Sequence, residues 1–280
     1  MTNSAITSAV LNTIKDDVGS GDITAELIPM GVTADAQVIS RESAMICGIA
    51  WFDEVYRQID KSISIEWLVK EGELVKPEQC IVKLGGSARS LVTGERCALN
   101  WLQTLSGTAT QVSDYVKFLD GYKAQLLDTR KTIPGLRYAQ KYAVKVAGGK
   151  NHRMGLFDAY LIKENHIASC GSIKKAIQQA RVLYSDKPIE IEVENIDELR
   201  QALAENADIV MLDNFSYDMM NEAVAINQGQ AKLEVSGNVE SAQLKKIADT
   251  GVDFISMGAL TKHVRAIDFS MRFISSVGPS

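Results

Sequence analysis

The chain has 280 residues, of which 46% are apolar and 23% are charged, as is ordinary for a globular protein. Its 30 lysines and arginines are outnumbered by 35 aspartates and glutamates, and the net charge of −5 argues against a general nucleic-acid binder, since such proteins are usually basic. No run of about 18 apolar residues occurs, so neither a transmembrane helix nor a membrane partner is expected. Four widely spaced cysteines without a CxxC pair exclude a disulfide scaffold and a zinc ribbon, and they predict a reducing, cytoplasmic location.

The first hundred residues have the pattern of a region that mixes helices with antiparallel strands. Residues 35–40 and 62–69 alternate between apolar and polar side chains, as half-buried strands require. Residues 80–84 predict a further short strand. Residues 94–119 have the three- and four-residue apolar spacing that is typical of a helix.

After Gly121, six short apolar runs alternate with segments of helical periodicity. The runs are residues 125–128, 159–162, 189–193, 209–212, 233–235 and 254–256. Repeated strand–helix units predict a parallel sheet. Six units are too few for a full eight-stranded barrel. An open or incomplete barrel fits the pattern, and a doubly wound open sheet fits it almost as well.

Polar side chains or glycines follow every one of these runs, at the strand ends where parallel α/β folds bind their ligands. The segments are residues 128–132, 163–166, 194–195, 213–214, 236–238 and 258–259. Any single strand has to end in something polar, so one such segment is weak support for a site. Six together predict a shared site at one edge of the sheet.

The charges are distributed unevenly along the chain. Residues 123–163 contain nine lysines and arginines against two acids, a net charge of +7, so the other residues sum to −12. A basic cluster in an acidic protein predicts a small anionic ligand, with Arg130, Arg153 and Lys163 as its main contacts. We interpret three further lysines as a solvated helix face: Lys141, Lys145 and Lys150.

Glutamates alternate with branched apolar residues over residues 189–194. In a barrel strand one such set faces the interior, and we expect the glutamates to do so. Inward carboxylates need partners or a cation. Glu194 and Asp213 could hold a hydrated Mg²⁺, and a salt-bridge network with the basic cluster is equally compatible with the pattern. The glycine-containing segments 236–238 and 258–259 precede predicted helices and would suit a phosphate.

Other chemistries lack their motifs. The sequence has no GxxxxGK[ST] loop, no GxGxxG and no HExxH or similar zinc-binding spacing of its three histidines. It also has no GxSxG nucleophile motif.

Longer motifs at these positions resemble those of the quinolinate phosphoribosyltransferase family, also called carboxylating nicotinate-nucleotide pyrophosphorylases. They are LDTRKTIPGLR (127–137), NHRMGL (151–156), LIKENH (161–166), EVEN (192–195), MLDN (211–214), EVSGN (234–238) and ISMGALT (255–261), preceded by GDIT (21–24) and TGER (93–96). The resemblance covers nearly the whole chain, with no departure at a functional position.

The resemblance implies an N-terminal α/β sandwich over residues 1–110 and a C-terminal open, partial α/β barrel over residues 111–265. The last segment, residues 266–280, is expected to return to the N-terminal domain. The family resemblance also implies at least a homodimer, in which the N-terminal domain of one subunit covers the barrel mouth of the other and supplies Arg96.

The implied reaction joins quinolinate to 5-phosphoribosyl-1-pyrophosphate (PRPP) and yields nicotinate mononucleotide, pyrophosphate and CO₂ in de novo NAD biosynthesis. By resemblance, the catalytic residues are Lys131, Lys163, Glu194 and Asp213. Quinolinate would be bound by Arg96, Arg130, His152, Arg153 and Lys163. PRPP would be bound by Lys131, Thr132, Glu194, Asp213, Ser236, Gly237, Asn238, Met257, Gly258 and Ala259. Mg²⁺ is the expected cofactor, held by Glu194 and Asp213 either directly or through water or PRPP oxygens.

Three other functions are compatible with parts of this pattern. The nearest is another phosphoribosyltransferase of the same fold that uses a different pyridine or base. A non-catalytic binding protein for phosphorylated metabolites is the second, although pure anion binding gains nothing from the carboxylates Glu194 and Asp213. A nucleic-acid protein is the third and the weakest, because the basic stretch has few aromatic residues.

Overall fold

The computed structural model describes residues 3–277, which fall into two units with separate sheets. The first unit runs to Gln111 and takes up the chain again from Val264, and the second is Val112–His263. In chain order, the first unit contains α1 (Asn3–Asp17), a 3₁₀ turn (Ala25–Leu27), β1 (Thr33–Ser40), β2 (Ala44–Met45), α2 (Ile49–Ile59), β3 (Ser64–Trp67), β4 (Leu74–Val75), β5 (Cys80–Ser87) and most of α3 (Ala88–Lys117).

The second unit alternates strands with helices. Its elements are β6 (Gln125–Leu127), α4 (Arg137–Val146), β7 (Tyr160–Ile162), α5 (Glu164–Cys170), α6 (Ile173–Leu183), β8 (Ile189–Val193), α7 (Ile196–Ala204), β9 (Ile209–Asp213), α8 (Tyr217–Asn227), β10 (Lys232–Ser236), a 3₁₀ turn (Ser241–Gln243), α9 (Leu244–Ala248), β11 (Phe254–Ser256) and α10 (Ala259–Lys262). The chain then returns to the first unit as β12 (Phe269–Val277).

The first unit is built on an antiparallel sheet with the strand order β12-β1-β5-β3. In β1 every second residue is buried, which gives the strand one core face. Helix α2 contributes Trp51, Phe52 and Tyr56 to this core, and the Phe52 ring meets the edge of Trp67 on β3 at 5.1 Å between ring centroids. Packing of helix on sheet confirms the predicted N-terminal α/β sandwich.

The second unit contains one sheet of six parallel strands in the order β6-β11-β10-β9-β8-β7. From β7 to β11 each strand lies beside the next one in the chain, and β11 then pairs with the first strand, β6. A doubly wound sheet reverses direction at a switch point, and this order has no reversal. Within residues 3–277, β6 and β7 are the two edge strands of this sheet, and they do not pair with each other. The order is therefore that of a barrel with one opening, as the resemblance implied.

The two sides of β8 carry different side chains, as the alternation predicts. Ile189, Ile191 and Val193 are fully buried, as expected on the side that the helices cover. Glu190 and Glu192 project from the other side, toward the barrel interior, where Glu190 is buried and Glu192 half-buried. The inward orientation of these glutamates is confirmed.

Helix α3 is the longest element, with 30 residues. Across the described part of the chain, however, none of the helices combines the length and the apolar character that crossing a membrane would require. The apolar side chains of α3 pack into the core instead, where Leu91, Leu99, Leu102 and Leu105 are buried.

Gly107 on α3 is the point where the returning chain passes closest to this helix. A Cβ atom at Gly107 would lie 2.1 Å from the carbonyl oxygen of Arg265. Nearby, the amide of Ile267 donates a hydrogen bond to the carbonyl of Gln103 at 3.1 Å. The first unit thus needs a glycine here, because any side chain would push the returning segment off the helix.

We therefore expect Gly107→Ala to lower the free energy of unfolding by about 2 kcal/mol, although alanine is the better helix former by about 1 kcal/mol. Denaturant unfolding followed by circular dichroism measures this change. Asn100→Ala, at an exposed position of the same helix, is the matched control and should shift stability by no more than about 0.5 kcal/mol. Equal or greater stability of Gly107→Ala would contradict the close approach.

Candidate active site

Two adjoining cavities open at the carboxyl ends of the barrel strands. The first has a volume of about 320 Å³ and is lined by Thr129, Arg130, Lys131, His152, Arg153, Leu161, Lys163, Glu192, Met211, Glu234, Ser236 and Ser256. The second, of about 460 Å³, is lined by Tyr115, Thr129, Lys131, Ser236, Gly237, Asn238, Val239, Glu240, Ser241, Ser256, Met257, Gly258, Ala259, Lys262 and His263. Thr129, Lys131, Ser236 and Ser256 line both. The strand ends therefore form one continuous site with two compartments.

Two arginines crowd each other in the first cavity. Burial, and the positive charge of Arg130, lower the pKa of Arg153. The buried Nε of Arg130 has no hydrogen-bond partner among the described residues. Arg153 donates to the carbonyl oxygen of Ala159 at 3.3 Å. A buried guanidinium nitrogen without an acceptor, next to a second guanidinium, is a place where an anion would be stabilised.

Lys163 is the third cation of this cavity. Its ammonium forms an ion pair with the carboxylate of Glu192. The residue also begins α5, where its backbone amide donates to Nδ1 of His166 at 3.0 Å. His166 is therefore a helix-capping residue here, and Lys163 is held at the cavity by both its backbone and its side chain.

A buried ion pair between Asp128 and Lys141 lies behind the cavity wall. The Lys141 ammonium donates to Asp128 Oδ1 and to the carbonyl of His152, the second at 2.9 Å. Asp128 also accepts from the side chain of Asn151 at 2.6 Å and from the backbone amide of His152 at 2.9 Å. Burial raises the pKa of Asp128 and lowers the pKa of Lys141.

This pair corrects one interpretation of the sequence. Lys141 was assigned to a solvated helix face, but its side chain is fully buried. The assignment is wrong because Asp128, at the end of β6, supplies the counter-charge that lets a lysine enter the interior. Lys145 and Lys150 are exposed, as expected.

His152 sits at the floor of the first cavity with both ring nitrogens turned toward protein groups. Its Nδ1 accepts a hydrogen bond from the backbone amide of Arg153 at 2.7 Å. Its Nε2 lies 2.9 Å from an oxygen of Glu190 and 3.7 Å from an oxygen of Glu234. Burial lowers the pKa of His152, and the two carboxylates raise it by more. The ring therefore offers a substrate mainly its carbon edge.

The second cavity carries the glycine-containing segments. Gly237 has φ of +108°, and a Cβ atom there would lie 2.3 Å from Oδ1 of Asn214. A Cβ atom on Gly258 would lie 2.8 Å from Cδ of Lys131. The helices that follow, α9 and α10, have only 5 and 4 residues. The glycine-containing loops, which are half-buried at Gly237 and Gly258, and the lysines Lys131 and Lys262, rather than a long helix, make this compartment suitable for a phosphate.

Most of the predicted site residues line the two cavities, and four do not. Those that line them are Arg130, Lys131, His152, Arg153, Lys163, Ser236, Gly237, Asn238, Met257, Gly258 and Ala259. Thr132 is half-buried, and its hydroxyl accepts from Nε of Arg137 at 3.3 Å. Arg96 is exposed on α3, in the first unit.

Glu194 and Asp213 lie at the rim. The β8–β9 register pairs Val193 with Leu212, so these two residues follow at adjacent positions on the carboxyl edge. Glu194 is exposed, and its amide donates to Oε2 of Glu198 at 2.8 Å. Asp213 is half-buried and accepts from the side chain of Asn214 at 2.9 Å. The cavity itself receives Glu192 instead.

Glu192 and Glu234 are cavity residues that the sequence reasoning missed. Glu192 belongs to the alternating run that was singled out, but the pattern does not show how deep each member of the run lies. Glu234 belongs to the same motif as Ser236 and precedes it by two residues, so it shares its side of β10. The two-residue spacing between Glu234 and Ser236 is therefore the sequence feature that predicts Glu234 as a cavity residue.

Comparison with known proteins agrees with the two-unit architecture. The family described as quinolinate phosphoribosyl transferase, N-terminal domain, matches residues 22–106, and its C-terminal domain matches residues 108–272. A probable nicotinate-nucleotide pyrophosphorylase (carboxylating) of Bacillus subtilis (strain 168) is 38% identical over 257 residues, covering 91% of this chain and 89% of the relative.

Solved structures superpose closely on the chain. The nicotinate-nucleotide pyrophosphorylase from Francisella tularensis is 51% identical with a TM-score of 0.95, covering 98% of this chain and 97% of that one. The protein of the same name from Ehrlichia chaffeensis is 37% identical with a TM-score of 0.90, covering 94% and 97%. Matches to both domains, together with this identity over nearly the full length, place the chain in the quinolinate phosphoribosyltransferase family.

Proposed function

We propose that the protein converts quinolinate and PRPP into nicotinate mononucleotide, pyrophosphate and CO₂, the step by which quinolinate enters NAD biosynthesis. The observation that carries the proposal is the pair of crowded arginines, Arg130 and Arg153, in a family member whose relatives bear this activity in their names. The cytoplasm is the expected location, since all four cysteines are free.

Quinolinate carries two carboxylates on neighbouring ring carbons, so its site needs several cations at fixed positions. Arg130 and Arg153 supply two guanidinium groups, and the unpaired Nε of Arg130 is available to an acceptor. Lys163 supplies a third cation next to them. A bound dianion would relieve the repulsion between the two arginines.

PRPP carries a 5-phosphate, a pyrophosphate and two ribose hydroxyls, which suits the second cavity and its junction with the first. The segments Ser236–Asn238 and Met257–Ala259 would receive the 5-phosphate. Lys131 lines both cavities, so with Thr132 it would hold the pyrophosphate where the two substrates meet. Glu194 and Asp213 at the rim would bind the ribose hydroxyls.

Mg²⁺ fits the rim rather than the cavity floor. Glu194 and Asp213 are adjacent on the carboxyl edge and are not fully buried, and magnesium typically uses one or two carboxylates together with water and substrate phosphate oxygens. When bound, the ion would neutralise charge on the departing pyrophosphate. The protein's own residues orient both substrates around it.

The chemistry is electrostatic and needs no side-chain nucleophile. Loss of pyrophosphate leaves positive charge on the ribose C1, which the nearby carboxylate of Glu192 would stabilise. The pyridine nitrogen, held in line, donates its lone pair to C1. The positively charged ring then accepts the electron pair of the adjacent C–CO₂ bond as CO₂ leaves, and that carbon takes up a proton.

A homodimer is part of the proposal. Arg96 is exposed on α3, where its charge acts on the neighbouring Glu95, and no hydrogen bond or ion pair of its guanidinium is found within the described residues. We propose that it completes the quinolinate site of the partner subunit. This would explain why an arginine distant in sequence from the basic cluster belongs to a conspicuous TGER motif.

The direct test is an assay of the purified protein with quinolinate, PRPP and Mg²⁺ that follows nicotinate mononucleotide and CO₂. We expect product from quinolinate and none from nicotinate or nicotinamide, because neither presents two carboxylates to the arginines. Chelation of Mg²⁺ should abolish turnover. Product from nicotinate without any from quinolinate would contradict the substrate, and turnover in excess chelator would contradict the metal requirement.

Arg130→Ala is expected to lower kcat/KM for quinolinate at least about 30-fold, or about 2 kcal/mol, because a desolvated carboxylate loses its charge partner. Steady-state kinetics at saturating PRPP measures the change. Lys145→Ala, on the exposed side of α4, is the matched loss of a positive charge and should leave kcat/KM within about twofold. An Arg130→Ala enzyme of unchanged efficiency would rule out this binding mode.

Arg96→Ala and Lys163→Ala should each be inactive alone and regain activity when mixed. In a two-fold symmetric dimer with shared sites, random exchange yields mixed dimers with one intact site, so about a quarter of all sites recover. Activity is measured after subunit exchange that has been verified by mass spectrometry. Verified exchange without recovered activity would show that the site is not shared between subunits.

A further inference from the structure

Three ionisable side chains meet at the floor of the first cavity: His152, Glu234 on β10 and, behind them, Glu190 on β8. One ligand atom from each lies within 4.8 Å of the others. The side chains are 8%, 5% and 0% exposed. None of the roles assigned above to substrate contacts requires the two glutamates, so their position beneath the site needs a separate explanation.

The two carboxyl groups lack the donors that a pair of carboxylates would need. Oε1 of Glu190, both oxygens of Glu234 and Nε2 of His152 are buried without a hydrogen bond of good geometry among the described residues, although Nε2 lies only 2.9 Å from Oε2 of Glu190. The hydroxyl of Ser256 donates to the carbonyl of Val235 at 3.4 Å, and its contact with Glu234 lowers the pKa of that carboxyl by less than burial and the charge of Glu190 raise it. Two ionised carboxylates this close together in a dry interior repel each other strongly, so one of them has to be neutralised.

The cations around the cluster are engaged elsewhere. Lys141 on α4 pairs with Asp128 and with the carbonyl of His152. Lys163 pairs with Glu192. Arg153, beside His152, donates to the carbonyl of Ala159, and Arg130 lies next to Arg153. A proton, or an ion from solution, is left to neutralise the second carboxylate.

The tautomer of His152 decides whether a proton or a cation neutralises the second carboxylate. Its Nδ1 accepts from the amide of Arg153, so the ring proton is on Nε2, which faces Glu190 and Glu234. A protonated Nε2 is not a metal ligand. Nδ1 has no room for an additional proton while it accepts this hydrogen bond, so the additional proton belongs to the carboxyl pair.

We propose that Glu234 and Glu190 share this proton, and that the resulting acid pair is a positioning unit for the anionic substrate. The ionised member holds Nε2–H of His152 and so fixes the backbone that carries Arg153. The neutral member keeps the floor of the cavity one charge less negative, which favours binding of a dianion. The proposal rests on the proposed function for its consequence on quinolinate, but the proton itself can be tested without substrate.

Ionisation of the pair should therefore weaken substrate binding. Burial and the charge of Glu190 raise the pKa of Glu234 to about 8. Above that pH the proton is lost and a second negative charge appears beneath Arg153. We expect KM for quinolinate to rise with little change in kcat, because the pair does not touch the reacting atoms.

The same raised pKa predicts how stability changes with pH. The folded protein binds the Glu234 proton more tightly than the unfolded chain, in which an ordinary glutamate titrates near 4.5. Between that value and about pH 8 the unfolded state therefore holds fewer protons, and this group's contribution to the free energy of unfolding falls as pH rises. Glu234→Gln cannot ionise and should remove that part of the slope.

The experiment compares the wild type with Glu234→Gln and with the control Glu222→Gln, an exposed glutamate of α8 that is 54% exposed. The first readout is infrared difference spectroscopy between about pH 6 and pH 10. A protonated-carboxyl C=O band should disappear at high pH in the wild type and in the control, and be absent from Glu234→Gln. Its absence from the wild type would overturn the proposal, and this measurement needs neither an active nor a mutated protein.

The second readout is kinetic. We expect the wild-type KM for quinolinate to rise at least about tenfold from about pH 7 to about pH 9.5. In Glu234→Gln it should stay within about threefold over that range, with kcat near the wild-type value. A pH profile of Glu234→Gln that follows the wild type would overturn the positioning role. Stoichiometric metal in the wild type that is lost from Glu234→Gln would overturn the shared proton in favour of a cation.

The two readouts separate this proposal from the assignment of substrate. A band that the wild type shows and Glu234→Gln lacks, in a protein without turnover of quinolinate, would refute the proposed function and keep the acid pair. A protein that turns over quinolinate but shows no such band would keep the proposed function and refute the acid pair.

Discussion

The buried ion pair between Asp128 and Lys141 is the interaction on which the site depends. It joins the end of β6, the middle of α4 and the segment that carries His152 and Arg153. Taking two charges out of water is costly, and a pair of this kind is stabilising only when further hydrogen bonds satisfy it. Asn151 and the backbone of His152 supply them. The positions of Arg153 and His152, which line the first cavity, therefore depend on one anchored carboxylate.

Charge alternates with depth below the barrel mouth. Arg130, Arg153 and Lys163 line the cavity, while the buried Glu234 forms part of its floor and Glu190 lies behind it. Strictly alternating strands produce this layering, because they send every second side chain inward and stack the inward ones in levels. The deeper acids Glu190 and Glu234 face His152, whereas the cations are paired with other groups. The two cavities differ in their lining. The first contains two arginines, and the second is lined by glycine-containing loops and lysines.

Local patterns predicted the elements of this chain well, and the depth of individual side chains poorly. Period-two alternation located β1 and β3, a short apolar run over residues 80–84 located β5, and six further apolar runs located the six parallel strands. The same alternation marked the glutamates of β8 as inward-facing. It did not separate Glu192, which enters the cavity, from Glu194, which lies at the rim, because both share one side of the strand. Lys141 was misread because its partner, Asp128, is 13 residues away on another element.

The sequence by itself determined the alternation of strands and helices, the basic stretch and the family motifs, since each depends on neighbours in the chain. Tertiary structure alone decided three things. Pairing of β11 with β6 turned the parallel sheet into an opened barrel instead of a doubly wound sheet. Burial decided that Lys141 is a structural cation while Arg130 keeps an unpaired nitrogen. The fold also brought His152, Glu190 and Glu234 together, within 4.8 Å of one another by one side-chain atom each. Each depends on distances between residues far apart in sequence, and the energy of a charge is set by those distances and by the loss of water around it.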